Sequence, residues 1–127
     1  MATFKLTRSE PKEADIQSAI LRALRIHPAV GFFWRQNTGA MAVGEGKARR
    51  FVRFGPKGAP DIQGYLKDGR ALFIECKSRT GRVSPEQQDF INKAKAHGAV
   101  AFVARSVADV FDVLDQLQKQ TAGSQVR

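Results

Sequence analysis

The chain has 127 residues, 43% apolar and 26% charged, with one cysteine, two histidines and 21 lysines and arginines against 12 aspartates and glutamates, a net charge of +9 and a pI near 10.3. That length suits one domain with a real core, and the lack of any long apolar run excludes a transmembrane helix and the core of a signal peptide. One cysteine excludes an internal disulfide and a cysteine-based zinc site, so a reducing, cytoplasmic compartment is expected, while the charge calls for a polyanion as partner, nucleic acid rather than a membrane surface or a small-molecule substrate.

Residues 1–10 are polar and read as a flexible start. Residues 11–26 read as a helix: Ile16, Ala19, Ile20, Ala23 and Leu24 recur at helical spacing, Pro11 suits the first turn, and His27-Pro28 ends it. Glu13 lies three before Ile16 and seven before Ile20, on the inward stripe. Residues 32–37 read as an aromatic strand, "TGAMAVGEGKA" as a glycine-punctuated loop, and residues 50–54 as a second strand that "GPKGAP" breaks. Residues 61–66 and 70–77 read as strands joined by a Lys67-Asp68-Gly69 hairpin turn. "SRTGRV" reads as a mobile basic loop. Ser84 caps and Pro85 opens a helix that carries Phe90, Ile91 and Ala94 and stops at Gly98. Residues 99–104 are an apolar strand. Ser106 caps a last helix with a core face of Val107, Val110, Phe111, Leu114 and Leu117. Residues 119–127 read as a flexible tail, leaving 11–118 as a single domain. The order α-β-β-β-α-β-α, closed by a β-α-β crossover, predicts an α/β (α+β) fold with a mixed central sheet flanked by helices.

The strand over 70–77 carries an oddity. Its apolar run, Ala71-Leu72-Phe73-Ile74, continues into Glu75-Cys76-Lys77. Alternation puts Phe73, Glu75 and Lys77 on one face and Leu72, Ile74 and Cys76 on the other. A buried charge is costly without a partner, so this end of the strand needs a salt bridge, exposure or a metal. The metal explains more. Asp61 begins the preceding strand, and a hairpin can bring it beside Glu75. Two carboxylates, water and a substrate phosphate suit Mg²⁺, and the backbone carbonyl of Cys76 can add a ligand. Lys77 can orient an attacking water. A metal beside a polyanion-binding surface suggests phosphodiester hydrolysis.

Pro60-Asp61 followed by Glu75-Cys76-Lys77 resembles the PD-(D/E)xK nuclease motif. "WRQNTGA", "RFVRFGPKGAPDIQG", "LFIECKS" and "SPEQQDFINKAKAHGAVAFVA" together resemble the VRR-NUC family, virus-type replication-repair nucleases, over nearly the whole chain. The resemblance implies a restriction-endonuclease-like fold. It implies Mg²⁺, with Mn²⁺ as substitute, held by Asp61, Glu75 and the Cys76 carbonyl, and Lys77 as the catalytic lysine. Glu13 matches the family's acidic position on the first helix, and Gln87 its glutamine after the motif strand. Stand-alone members, of phage and bacterial type, look like Holliday junction resolvases, homodimers that nick four-way DNA junctions in pairs. A nicking or flap-cutting repair nuclease and a non-catalytic DNA-binding module are the alternatives.

Gln87 also completes a capping box, Ser84-x-x-Gln87, and one amide does not easily fill both roles. Lys47, Arg49, Arg50, Arg53 and Lys57 flank a glycine-rich loop leading to Asp61 and are expected on DNA phosphates, helped by Arg79 and Arg82. Arg35 and Asn37 are candidates for substrate contact or for local turn structure. Phe33 and Trp34 read as strand residues for the core or a dimer interface, with stacking on a splayed base as the alternative. His27 reads as the polar end of a helix and Cys76 as an inert core thiol.

Overall fold

The computed structural model describes residues 10–36, 40–53 and 55–125. The first helix, α1, spans Glu13–Ile26 and buries Ile16, Ile20, Ala23 and Leu24. Its opening turn hangs on the Lys12 carbonyl, which accepts from the amides of Asp15 and Ile16. The extended backbone at His27, before Pro28, ends it. His27 does more than finish the helix. Its Nδ1 accepts from the Ala29 amide, so Nε2 carries the proton and donates to Asp115 Oδ1 at 2.7 Å. The buried ring stacks on Phe111 and ties the end of α1 to the last helix.

Four strands form the central sheet: β1 (Val30–Arg35), β4 (Ile62–Leu66), β5 (Ala71–Cys76) and β6 (Val100–Ala104), lying in that order. β1 and β5 run antiparallel to β4, and β6 runs parallel to β5. The β4–β5 turn is the expected one. Leu66 N–H reaches the Arg70 carbonyl, the Asp68 carboxylate accepts from the Arg70 amide, and Gly69 sits at φ +92°, where a side chain would be strained. Between β1 and β4 the chain makes a separate antiparallel ribbon of β2 (Ala40–Val43) and β3 (Arg50–Arg53), joined by a 3-10 turn over Gly46–Ala48. Five described strands therefore stand between the first two helices, where the sequence reading delineates four and its compressed order writes three. β2 is hidden inside the glycine-punctuated stretch, because four small and apolar residues carry little strand signal until β3 pairs with them.

Helix α2 (Pro85–Ala96) links β5 to β6 and lies over those two strands on one sheet face, with Phe90 edge-on to Phe73. Helices α1 and α3 (Val107–Gln125) take the other face. There Ile16, Ile20, Leu24, Val110 and Leu114 close on Ile62, Leu66, Leu72, Ile74, Cys76 and Ala104. Each fully buried Leu or Ile in this layer contributes about 2–3 kcal/mol of transfer free energy. Ser106 Oγ accepts from the Asp109 amide as the expected cap. α3 runs on through Gln125, past the point where the sequence reading starts a loose tail. Gln118, Lys119 and Gln120 there are exposed, and their helix propensity carries the helix beyond its last core contacts. The polar start over residues 1–9, Asn37 and Phe54 lie outside the described residues. No helix among the described residues is long and apolar enough to cross a membrane. A mixed sheet with α2 on one face and α1 and α3 on the other is consistent with a restriction-endonuclease-like fold.

Candidate active site

The charged end of β5 is where three elements meet. Ile62 stands opposite Ile74 in the β4–β5 pair, so one step further Asp61 stands opposite Glu75. Asp61 Oδ2 accepts the Cys76 amide at 3.0 Å, which fixes that carboxylate across the strand end. The Lys77 amide bonds to the Ala104 carbonyl in β6, on the opposite side. Alternate residues of a strand turn their backbone groups to opposite neighbours, so the Cys76 carbonyl points with its amide toward Asp61. Glu13 arrives from the first turn of α1. It remains exposed as a residue, yet one oxygen of each of Glu13, Asp61 and Glu75 lies within 4.8 Å of the others.

Glu75 is the buried member, 2% exposed. Lys77 Nζ stands 3.7 Å from its Oε1, and Gln87 Nε2 donates to the same oxygen at 2.9 Å. Its other oxygen, Oε2, is buried without a hydrogen-bond partner. Burial pushes the Glu75 carboxyl up to about 8; the charge of Asp61 adds to this, Lys77 opposes it, and a shared proton with the Asp61 carboxylate and the charge of Glu13 add a little more. The same surroundings push the Cys76 thiol up to about 12, burial first, then Asp61, Glu75 and Glu13. A fully buried thiol held protonated is the inert group the sequence reading expects.

A buried carboxylate that has one unpartnered oxygen and is crowded by two other carboxylates is costly as it stands. A divalent cation would relieve it. The donor set is all oxygen, which suits Mg²⁺ or Mn²⁺ rather than zinc. Glu13, Asp61 and Glu75 could hold such an ion, with the Cys76 carbonyl on the same side.

Gln87 corrects the expectation that one amide serves the cap or the site. Its Oε1 accepts the Ser84 amide at 2.9 Å, while Ser84 Oγ accepts the Gln87 amide, completing the capping box. That leaves the NH₂ end for Glu75. The two ends of the amide serve two neighbours, and the cap holds the donor in place.

Two positioning residues escape the sequence reading. The first is Arg105, just past β6. Its Nη1 donates to the carbonyls of Ser78, Gly81 and Arg79, at 2.7, 2.8 and 3.2 Å. The loop after Lys77 is thus tied down rather than free. The parallel register, Cys76 beside Ala104, is what brings them together, and no local signal announces it. The second is Gly58, at φ +81°. A Cβ there would overlap the Glu86 carbonyl and crowd the Gln87 amide. The loop into Asp61 therefore rests directly on the first turn of α2, the turn that carries Gln87. A signal did exist, since "GPKGAP" has two glycines, but it marks a turn and not a contact.

The basic residues are spread around this centre. Lys47, Arg49 and Arg50 are exposed on the ribbon, and Arg53 closes β3. Lys57 pairs with Glu86 at 3.2 Å and Arg79 with Glu10 at 3.5 Å, both on the surface. Arg82 is exposed beyond the tied loop, and Arg35 at the end of β1. Trp34 is not in the core: it is 40% exposed, whereas its neighbour Phe33 packs on the core cluster.

No curated protein matches the chain. The VRR-NUC domain matches residues 12–108, a span that opens just before Glu13 and takes in Asp61, Glu75, Lys77, Gln87 and Arg105. With three carboxylates, a lysine and a glutamine converging at the end of two hairpin strands, and that span covering most of its length, the chain belongs to the VRR-NUC family, a nuclease domain of the general PD-(D/E)xK kind.

Proposed function

We propose that this nuclease is a divalent-metal-dependent endodeoxyribonuclease that cuts branched DNA, a four-way junction first of all, as a homodimer. The observation that carries the metal dependence is the convergence of one oxygen each of Glu13, Asp61 and Glu75 within 4.8 Å, in a site where Glu75 also has a buried, unpartnered oxygen. A divalent cation held there supplies Lewis-acid polarisation of the scissile phosphodiester and neutralises its charge. The chain's own groups do the positioning. Gln87 and Lys77 both address Glu75 Oε1, so that carboxylate is held from two sides. The Cys76 amide fixes Asp61. The Lys77 ammonium, only 13% exposed at its side chain, offers protons to a phosphate oxygen or to the attacking water. Water adds to phosphorus as the P–O3′ bond breaks; the attacking water gives up one proton to solvent, and the 3′ oxygen takes one from solvent to leave as a hydroxyl beside a 5′-phosphate. The net charge of +9 and the exposed cations of the ribbon support a long polyanion as substrate. The junction and the two-fold arrangement rest on the resemblance to stand-alone resolvases, in which paired sites nick opposite strands.

The test is a panel of a synthetic four-way junction, a flap and a linear duplex, each incubated with Mg²⁺ or with EDTA. Paired, symmetric nicks on the junction, in Mg²⁺ only, are expected. Equal cutting of all three would remove the junction from the reading, and flap cutting alone would favour a repair nuclease. Cleavage surviving EDTA would overturn the metal site. Asp61→Ala and Lys77→Ala should still bind junctions but cleave them at least ~100-fold more slowly. Binding without cutting by the wild type would leave a DNA-binding module. Sedimentation at working concentration checks the dimer.

A further inference from the structure

The sheet face that carries Asp61 and Glu75 is covered by α2 only over β5 and β6. Among the described residues no helix packs on it over β1 and β4, and there it is aromatic. Cross-strand pairing places Trp34 beside Gln63 and Phe32 beside Tyr65, while Gln63 and Tyr65 pair with Phe73 and Ala71. Rows therefore run across the face: Glu75 and Asp61 at the top, Phe73, Gln63 and Trp34 next, then Ala71, Tyr65 and Phe32. Rows two residues apart along a strand are about 7 Å apart, so the rings begin about 7 Å from the metal-site row and end about 13 Å away. Phe32, Trp34 and Tyr65 are 60%, 40% and 43% exposed. Their ring centroids lie 5.2 to 6.3 Å apart, and Trp34 Nε1 donates to Gln36 Oε1, which steadies the indole.

We propose that Phe32, Trp34 and Tyr65 form a stacking platform for unpaired bases of the DNA strand being cut, within one or two nucleotides of the scissile phosphate. This rests on DNA being the substrate, and not on the choice of junction over flap. Three observations favour a nucleic acid over a second copy of the chain. The rings lie on the same face as the catalytic carboxylates and lead directly away from them. The strands that carry them, β1 and β4, contain no Asp or Glu, while Arg35 and Lys67 stand at their ends, and Lys67 rims a depression of about 550 Å³ beside Phe32 and Tyr65. The uncovered aromatic area is small: at about 150–250 Å² per ring it comes to roughly 300 Å², against about 800 Å² per partner in a stable protein interface. Stacking a base needs only a ring face.

Trp34 is the chain's one tryptophan, so its fluorescence reports the platform directly. In EDTA, to prevent cutting, the protein is titrated with an oligothymidylate of about 12 nucleotides and with an abasic strand of equal length. The oligothymidylate should quench Trp34 and bind at least roughly tenfold more tightly than the abasic strand. A Phe32→Leu/Tyr65→Leu variant, which keeps apolar volume without the ring faces, should lose that preference while still binding the abasic strand. Equal affinity for both strands with unchanged emission would overturn the platform while leaving the nuclease reading intact. If neither strand binds, the DNA reading falls together with the platform. Trp34 emission that shifts on protein dilution without DNA, in step with a dimer dissociating, would assign the rings to a second copy and overturn the proposal.

Discussion

Glu75→Gln should make the metal-free protein more stable, and increasingly so as the pH rises. In the fold the Glu75 carboxyl holds its proton up to about pH 8, whereas an unfolded glutamate releases it near 4.5. Below 4.5 both states are protonated and the site carries no penalty. Between 4.5 and 8 the folded state binds more protons than the unfolded one, so stability falls as pH rises, and above 8 the whole penalty is present. At about 1.4 kcal/mol per unit, the shift sets a ceiling of roughly 5 kcal/mol. Glutamine at 75 keeps the size and an oxygen to accept from Gln87, and removes the charge that burial and Asp61 oppose. Even half the ceiling, at roughly 4 °C per kcal/mol, raises the unfolding midpoint by about 10 °C near pH 9. Thermal melts in EDTA across about pH 5 to 9 measure it: the wild-type midpoint should fall through that window and the variant's stay nearly level. Adding Mn²⁺ or Mg²⁺ should restore the wild type, because an ion that binds only the folded state stabilises it, and should do little for the variant. Parallel curves for the two proteins, or an equal response to metal, would refute the reading of Glu75 as a strained ligand awaiting a cation.

The two ends of Gln87 can be separated. Ser84→Ala removes one capping acceptor and should cost about 1 kcal/mol in denaturant unfolding with cleavage within a few-fold of wild type. Gln87→Ala should cost similar stability and also cut cleavage by about tenfold or more, and matching activity losses in the two variants would show that Gln87 acts through the cap alone. Gly58→Ala should destabilise by about 2 kcal/mol or more, because Cβ meets the Glu86 carbonyl at a positive φ, and a melt unchanged from wild type would mean that the loop does not rest on α2. Junction affinity should fall steeply with salt, and Arg49→Ala and Arg50→Ala should each lower the slope of log affinity against log salt by about 1; an unaltered slope would take the ribbon off the phosphates.

The residues that would do the chemistry were legible because their spacing is local. Asp61 and Glu75 flank a short hairpin with an Asp-Gly turn, and alternation along β5 then fixes which face Glu75 and Lys77 share. The helices announced themselves by their apolar stripes and by the Ser84 and Ser106 caps. β2 did not, since Ala40–Val43 becomes a strand only through its pairing with β3. Tertiary structure alone decided the rest. It turned the two ends of the Gln87 amide to two neighbours, because α2 docks with its first turn against the end of β5. It set Arg105 over the loop after Lys77 through the parallel β5–β6 register, and it seated Gly58 on α2 where a side chain cannot fit. It also left Phe32, Trp34 and Tyr65 uncovered, because α2 is too short and too far across the sheet to reach β1 and β4. Sequence by itself determines which groups are present and how they alternate along each strand; burial depends on which element crosses which, and that sets both the proton affinity of Glu75 and which part of the sheet face is left uncovered.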